Sequence, residues 1–301
     1  MSPSSSSGLA AIDWSQPWLT AHADIGVPIA QRAAADAAHG ATATALQASA
    51  RGAAADSVRF VPQDRLPDGE PYESYIFRTR EVPTRDNLHD FFNGLIWLHC
   101  PMAKRQLNRL QAGEIERAGV GATRGPLRDA LTLFDENGAL LDAPPALWDA
   151  LIARDWPRLF VTERALWTQA RLWIFGHALL EKLMQPRKAA TAHVLRLPLP
   201  IGLGKSGESG EGGMAHIDAL LAEALAPAWL ASKPFAPLPV LGIPGWCPEN
   251  ENFSFYDDSD VFRPRGTSRT TTTAGCGAKI QLEAGRPAPN WTSVSSRRNQ
   301  P

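Results

Sequence analysis

Cysteine is scarce in this 301-residue chain: Cys100, Cys247 and Cys276 stand far apart, with no CxxC pair. That argues against a disulfide framework and a thiolate zinc site, and it fits a reducing, cytoplasmic setting. Long apolar runs are missing as well. The most apolar window, residues 165–184, is interrupted by Arg171, His177, Glu181 and Lys182, so it predicts a buried helix and no membrane span. The opening MSPSSSSGLAAIDW has neither a basic start nor a long apolar core, and no secretory leader is expected from it. Complete catalytic spacings are also absent. His177 and Glu181 stand four apart without the second histidine of a HExxH zinc motif. GLGKS at 202–206 has Leu199 where a phosphate-binding loop needs its first glycine.

What is present suits a folded body. Hydrophobic residues make up 44% and charged residues 20%, enough for a sizeable core. The net charge of −1 is unevenly spread. From residue 263 onward there are seven Arg or Lys against Glu283 alone, which leaves residues 1–262 near −7. A body of that sign is a poor non-specific nucleic-acid binder. The serine-rich residues 1–12 and the Thr-, Gly- and Ser-rich residues 266–301 lack apolar periodicity and are expected to be disordered, the second as a basic tail. Residues 13–265 are expected to form one globular domain.

The most informative stretch is RDNLHDFFNGLIWLHCPMAKRQLNR, residues 85–109. Thr84 or Asp86 can cap a helix that runs to His99, where Pro101 interrupts it. Leu88, Phe91, Phe92, Leu95, Leu98 and His99 share one side of that helix, a core stripe of helical period. Asp86, His89, Asp90, Asn93 and Trp97 share the other. A solvated face would carry Lys and Glu, so this second face is expected to be covered by protein or ligand.

Around it, YESYIF (72–77) reads as a strand. Helices are expected at 102–117, 126–137, 145–154, 162–170, 172–184 and 215–230, with a short strand at 193–197. Residues 202–213 read as a flexible loop. The Pro-rich residues 233–245 are expected to wrap the body as an extended segment.

Four polar sets are not explained by their own apolar stripes. His89 and Asn93, with Asp90, can bind a metal or polarise a substrate, or lock the helix to a neighbour through buried hydrogen bonds. Arg128 and Asp135 lie two turns apart on one face as a pair, and Glu136 joins Asp129 and Thr132 on a second stripe. His177 and Glu181 repeat the i, i+4 spacing. Tyr256 precedes Asp257, Asp258 and Asp260, carboxylates that repel one another unless a divalent cation or an arginine neutralises them. Asn87, His89, Asn93 and Lys104 echo the helix of an HNH nuclease, but residues 40–88 hold no second histidine. Burying each set alone would strand polar groups, so at least three are expected to converge beside Trp97 or Trp246.

Five further stretches join VPTRDNLHDFFNGLIW (82–97) in a recognisable set: PMAKRQLN (101–108), RGPLRDALTLFDENGALL (124–141), FGHALLEKL (175–183), PLPVLGIPGW (237–246) and FYDDSDVFRP (255–264). Jointly they resemble the bacterial family called domain of unknown function 3025, from about residue 14 to 265. The resemblance implies one bacterial domain and no particular activity. The fold expected is mainly α with a small β component (α+β), a single compact domain with Pro-rich extended segments. The function expected is a metal-assisted hydrolase using His89, Asp90, Asn93, Arg128, Asp135, His177 and Tyr256. His89, His177, Asp257 and Asp258 would hold a divalent metal ion. The alternative is a non-catalytic module for a small-molecule or protein ligand, in which the same groups form a structural network.

Overall fold

In the computed structural model, the described residues are 5–52, 54, 58–119, 125–196 and 213–265. The glycine-rich loop at 202–212 and the basic tail lie outside them. Helix α1 (Ser5–Ala10) opens the described chain, and Leu9 and Ile12 are buried. Packed structure therefore begins before residue 13, within the stretch expected to be disordered. Helices α2 (Ala23–Ala35) and α3 (Ala41–Ser49) follow. Strand β1 (Arg59–Pro62) pairs in parallel with β2 (Glu81–Thr84), and helix α4 (Tyr72–Thr79) connects them.

The expectation of a strand at 72–77 is thus wrong. Tyr72, Tyr75 and Ile76 recur at three and four residues, a helical period, and Tyr75 and Ile76 are the two buried positions. The helix starts after Pro71 and stops at Arg80, which takes the left-handed conformation at φ 58°.

Helix α5 (Leu88–His99) carries the expected core stripe, and Phe91, Phe92 and Leu95 are fully buried. Its cap is Asn87, whose side chain accepts from the Asp90 backbone N–H at 2.8 Å. Asp86 instead takes the Gly40 and Thr42 N–H groups, at 2.8 and 2.9 Å, at the start of α3. Helix α6 (Pro101–Ala118) turns back at Cys100. Its first turn is held from far along the chain, where the Asp218 carboxylate accepts from the Met102 and Ala103 N–H groups at 2.9 and 2.8 Å.

Helix α7 (Pro126–Asn137) runs straight into β3 (Gly138–Asp142), which leads to α8 (Pro145–Ala153). The single helix expected at 172–184 is instead strand β4 (Arg171–Ile174) and the short helix α9 (His177–Lys182). The break follows from pairing: β4 runs antiparallel to β3, and the Gly138 carbonyl accepts from both Phe175 and Gly176 N–H. A Cβ on Gly176 would lie 2.5 Å from the Asn137 backbone. Only glycine lets the chain pass so close, and this contact starts α9 against the end of α7.

Strand β5 (Thr191–Leu195), helices α10 (Met214–Ala224) and α11 (Pro227–Ala231), and strand β6 (Phe235–Pro239) complete the elements that matter here. The second sheet has the order β4-β3-β5-β6, with β3 and β5 parallel and β6 antiparallel at the edge. An edge place suits the Pro-rich strand, since proline cannot donate to a ladder. The fold is α+β, mainly helical with two small sheets. The described residues belong to one compact unit, Met1–Arg265. None of their helices is long and apolar enough to cross a membrane.

Candidate functional site

Helical spacing carries the site together. From α5, His89, Asn93 and Trp97 lie four residues apart and line a cavity of about 270 Å³; from α6, Lys104, Asn108 and Gln111 line it at spacings of four and three. Tyr72, Glu73 and Ile76 come from α4, Asp135 and Glu136 from the end of α7, and His177 from the first position of α9. Arg85 and His89 keep 58% and 32% of their side-chain surface exposed, which leaves the cavity open to solvent.

Two polar networks meet there. In the first, the Lys104 Nζ donates to Asp135 Oδ1 at 2.5 Å and to Asn93 Oδ1 at 2.8 Å, and Asn93 Nδ2 donates to the Tyr72 hydroxyl at 3.2 Å. Burial pushes the Asp135 carboxyl up, but Lys104 and His177 outweigh it and hold the carboxyl below its ordinary value. In the second network, His89 Nδ1 lies 2.8 Å from Glu181 Oε2, and His89 Nε2 lies 3.1 Å from His177 Nε2. In the tautomer with the proton on Nδ1, His89 donates to Glu181 and turns the lone pair of its Nε2 toward His177.

Burial drives His177 down to about 3, against the upward pull of Asp135, so its imidazole is neutral near pH 7. Glu136 Oε1 lies 3.8 Å from His177 Nε2. Burial, then Asp135, raises the Glu136 carboxyl. One ligand-type atom from each of His89, Glu136 and His177 lies within 4.8 Å of the other two. Two nitrogens bound to one tetrahedral zinc stand about 3.3 Å apart, given bonds of roughly 2.0–2.1 Å. The 3.1 Å spacing of the histidine nitrogens is therefore close to what a shared ion requires.

Three of the four polar sets contribute to this cavity: His89 with Asn93, Asp135, and His177 with Glu181 packed on His89. Asp90 also lines it but is engaged by Arg85, which donates from its backbone N–H at 2.6 Å and its guanidinium at 3.1 Å. Arg128 departs from expectation. It is not among the lining residues and does not pair with Asp135; its Nη1 reaches the Gly119 carbonyl at 3.5 Å.

The fourth set lies outside the cavity lining. Tyr256 donates to the Gly242 carbonyl at 2.9 Å and accepts from Arg164 at 3.1 Å. Asp258 pairs with Lys188 at 3.0 Å, and Asp257 is exposed. The local repulsion that suggested a metal at Asp257 and Asp258 is relieved at Asp258 by a lysine, and neither residue joins the histidines. The carboxylate that does is Glu136. Its stripe was visible on the sequence, although nothing there singled it out from Asp129. Tyr72 and Glu73 were masked by the mistaken strand.

A family model described as "Protein of unknown function (DUF3025)" matches residues 58–266. The chain belongs to this family. The match starts after α3, later than the resemblance from residue 14 implied. No curated protein and no solved structure matched the chain.

Proposed function

We propose that the cavity is a divalent-metal hydrolytic centre, with His89, His177 and Glu136 as the ligands. The observation that carries this reading is the meeting of three ligand-type groups, one a histidine kept neutral by burial, at the wall of a solvent-open cavity. A bound ion of this kind acidifies a coordinated water to a pKa near 7 and so supplies hydroxide at neutral pH. The chain's own groups do the rest. Glu181 orients the His89 ring, and Lys104, fixed between Asn93 and Asp135, offers a positive charge to a developing oxyanion. Water would give its oxygen to the electrophilic centre and a proton to the leaving group.

A second reading has its own support. Lys104 is satisfied by Asn93 and Asp135 without any ligand, as in a buried network that clamps helices in a non-catalytic binding module. Elemental analysis of purified protein, with chromogenic ester, amide and phosphoester substrates assayed before and after chelation, separates the two. The hydrolytic reading expects bound metal and an activity that chelation removes and that His177→Ala lacks. Metal-free protein that is unaffected by added Zn²⁺ or Mn²⁺ supports the network.

A further inference from the structure

Charges around the cavity do not balance. Lys104 is committed to Asp135, and Arg85 to Asp90. Glu73 and Glu136 line the same space, and among the described residues no lysine or arginine pairs with either. Glu136 is accounted for by the ion proposed above. Glu73 is not.

Glu73 is fixed in place. Asn108 Nδ2 donates both to its backbone carbonyl at 2.9 Å and to its Oε2 at 2.6 Å, and among the described residues none hydrogen-bonds to Oε1. Glu73 is part-buried and lines the cavity. Burial, then repulsion from Asp135, pushes its carboxyl up to about 7, against the opposing pull of Lys104 and the Asn108 hydrogen bond. Three residues along α6 from Asn108, Gln111 is 7% exposed and lines the same cavity, and among the described residues its side chain has no hydrogen-bond partner. Its amide, which can both donate and accept, is therefore available to a molecule bound in the cavity.

Cationic nitrogen satisfies both groups at once. An ammonium or guanidinium carries several N–H donors and no acceptor, and it can pair with the free Glu73 oxygen while donating to the Gln111 carbonyl. A neutral ligand would leave an ionised Glu73 uncompensated, whereas a cation pairs with that form. An anion would meet Glu73, Asp135 and Glu136 together.

We infer that the cavity binds a small organic cation, an amine or guanidine, through Glu73 and Gln111. Taken with the hydrolytic reading, on which this step rests, the substrate class is a small amine-bearing amide or ester.

Butylammonium is a suitable probe, with butyrate and 1-butanol as charge-reversed and neutral controls, in calorimetric titrations of protein freed of metal by chelation. The expected result is binding of butylammonium alone. At pH 7 it should release protons to the buffer, because pairing ionises Glu73, and this release should vanish by pH 9. Glu73→Gln and Gln111→Leu should weaken the binding, the first at least tenfold. Equal binding of butyrate or butanol, or butylammonium binding unchanged in both variants, would overturn the inference. If Glu73→Gln does not fold, proton release by the wild type and the Gln111→Leu titration decide it. Metal content is read separately on reloaded samples. Metal uptake without amine binding removes only this inference, and amine binding without metal uptake removes only the metal centre.

Discussion

His89 and His177, 88 residues apart in sequence, meet Nε2 to Nε2 at 3.1 Å. Two neutral imidazoles hold that geometry only if one nitrogen keeps a proton and the other its lone pair, or if an ion takes the proton's place. Glu181 on the far side of His89 decides which nitrogen is available.

Glu181→Gln keeps the size of the side chain but removes the charge that fixes the His89 tautomer. Zinc affinity measured by calorimetric titration should fall about 10–100-fold, the usual effect of losing such a supporting carboxylate. Undiminished affinity would mean that His89 is not a ligand.

Lys104 and Asp135 keep only 5% and 11% of their side-chain surface exposed. Lys104→Met leaves a buried carboxylate without its cation, which should cost about 3–5 kcal/mol in urea unfolding. Replacing both, as Lys104→Met with Asp135→Leu, should recover most of that loss. A double variant as unstable as the single one would show that the partner's stranded charge is not the cause.

Acid should destabilise the protein through three histidines. His22 lies well below its ordinary pKa, His99 is lowered to about 4 and His177 to about 3, with burial the largest cause in each. As pH falls below about 6.5 the unfolded chain takes up protons that the folded protein refuses. Each histidine then removes up to about 1.4 kcal/mol per pH unit until its folded pKa is reached. Glu73 opposes this, since its raised pKa favours the folded protein as pH falls from about 7 toward 4.5. Glu136 and Asp218, also raised, act in the same sense as Glu73, and His193, also lowered, adds to the other histidines. The lowered histidines dominate between pH 6.5 and 5, so the urea midpoint should drop there. His99→Gln should flatten the slope; a midpoint that rises on acidification would contradict the account.

Gly94 lies where α5 crosses α3, and a Cβ there would come within 2.3 Å of Leu46 Cδ1. Alanine favours a helix by about 1 kcal/mol over glycine, but overpacking of this kind costs roughly 1–3 kcal/mol. Gly94→Ala should therefore lower Tm despite its better propensity, and Gly94→Ala with Leu46→Ala should recover part of the loss. A Tm raised by Gly94→Ala alone would mean that the two helices separate freely.

Much of the helical framework could be read from the sequence because period and punctuation agreed. Pro101, Pro126 and the Asn137-Gly138 pair marked helix ends, and the second face of α5 stood out because His89, Asn93 and Trp97 share it. Errors arose where local pattern misled or distant contacts took over. Tyr72–Thr79 combined aromatic, strand-like composition with a helical period, and reading composition first hid Glu73. Residues 172–184 looked continuous, yet β3 pairing pulled the first part into a strand. Asp258 looked unpaired because Lys188 is remote in sequence. Glu181 was read as His177's neighbour, whereas the packing of α9 on α5 turned it to His89.

Asp218 reaches back 116 residues to hold the first turn of α6, and this has a consequence for synthesis of the chain. On the ribosome, the α6 start emerges long before its anchor. At about 5–20 residues per second, that interval is roughly 6–23 s. Throughout it the helix that presents Lys104, Asn108 and Gln111 lacks the acceptor that completes its N-terminus. The start of that helix is therefore completed late, once residues from the last fifth of the described chain have been made, long after the last residue lining the cavity, His177.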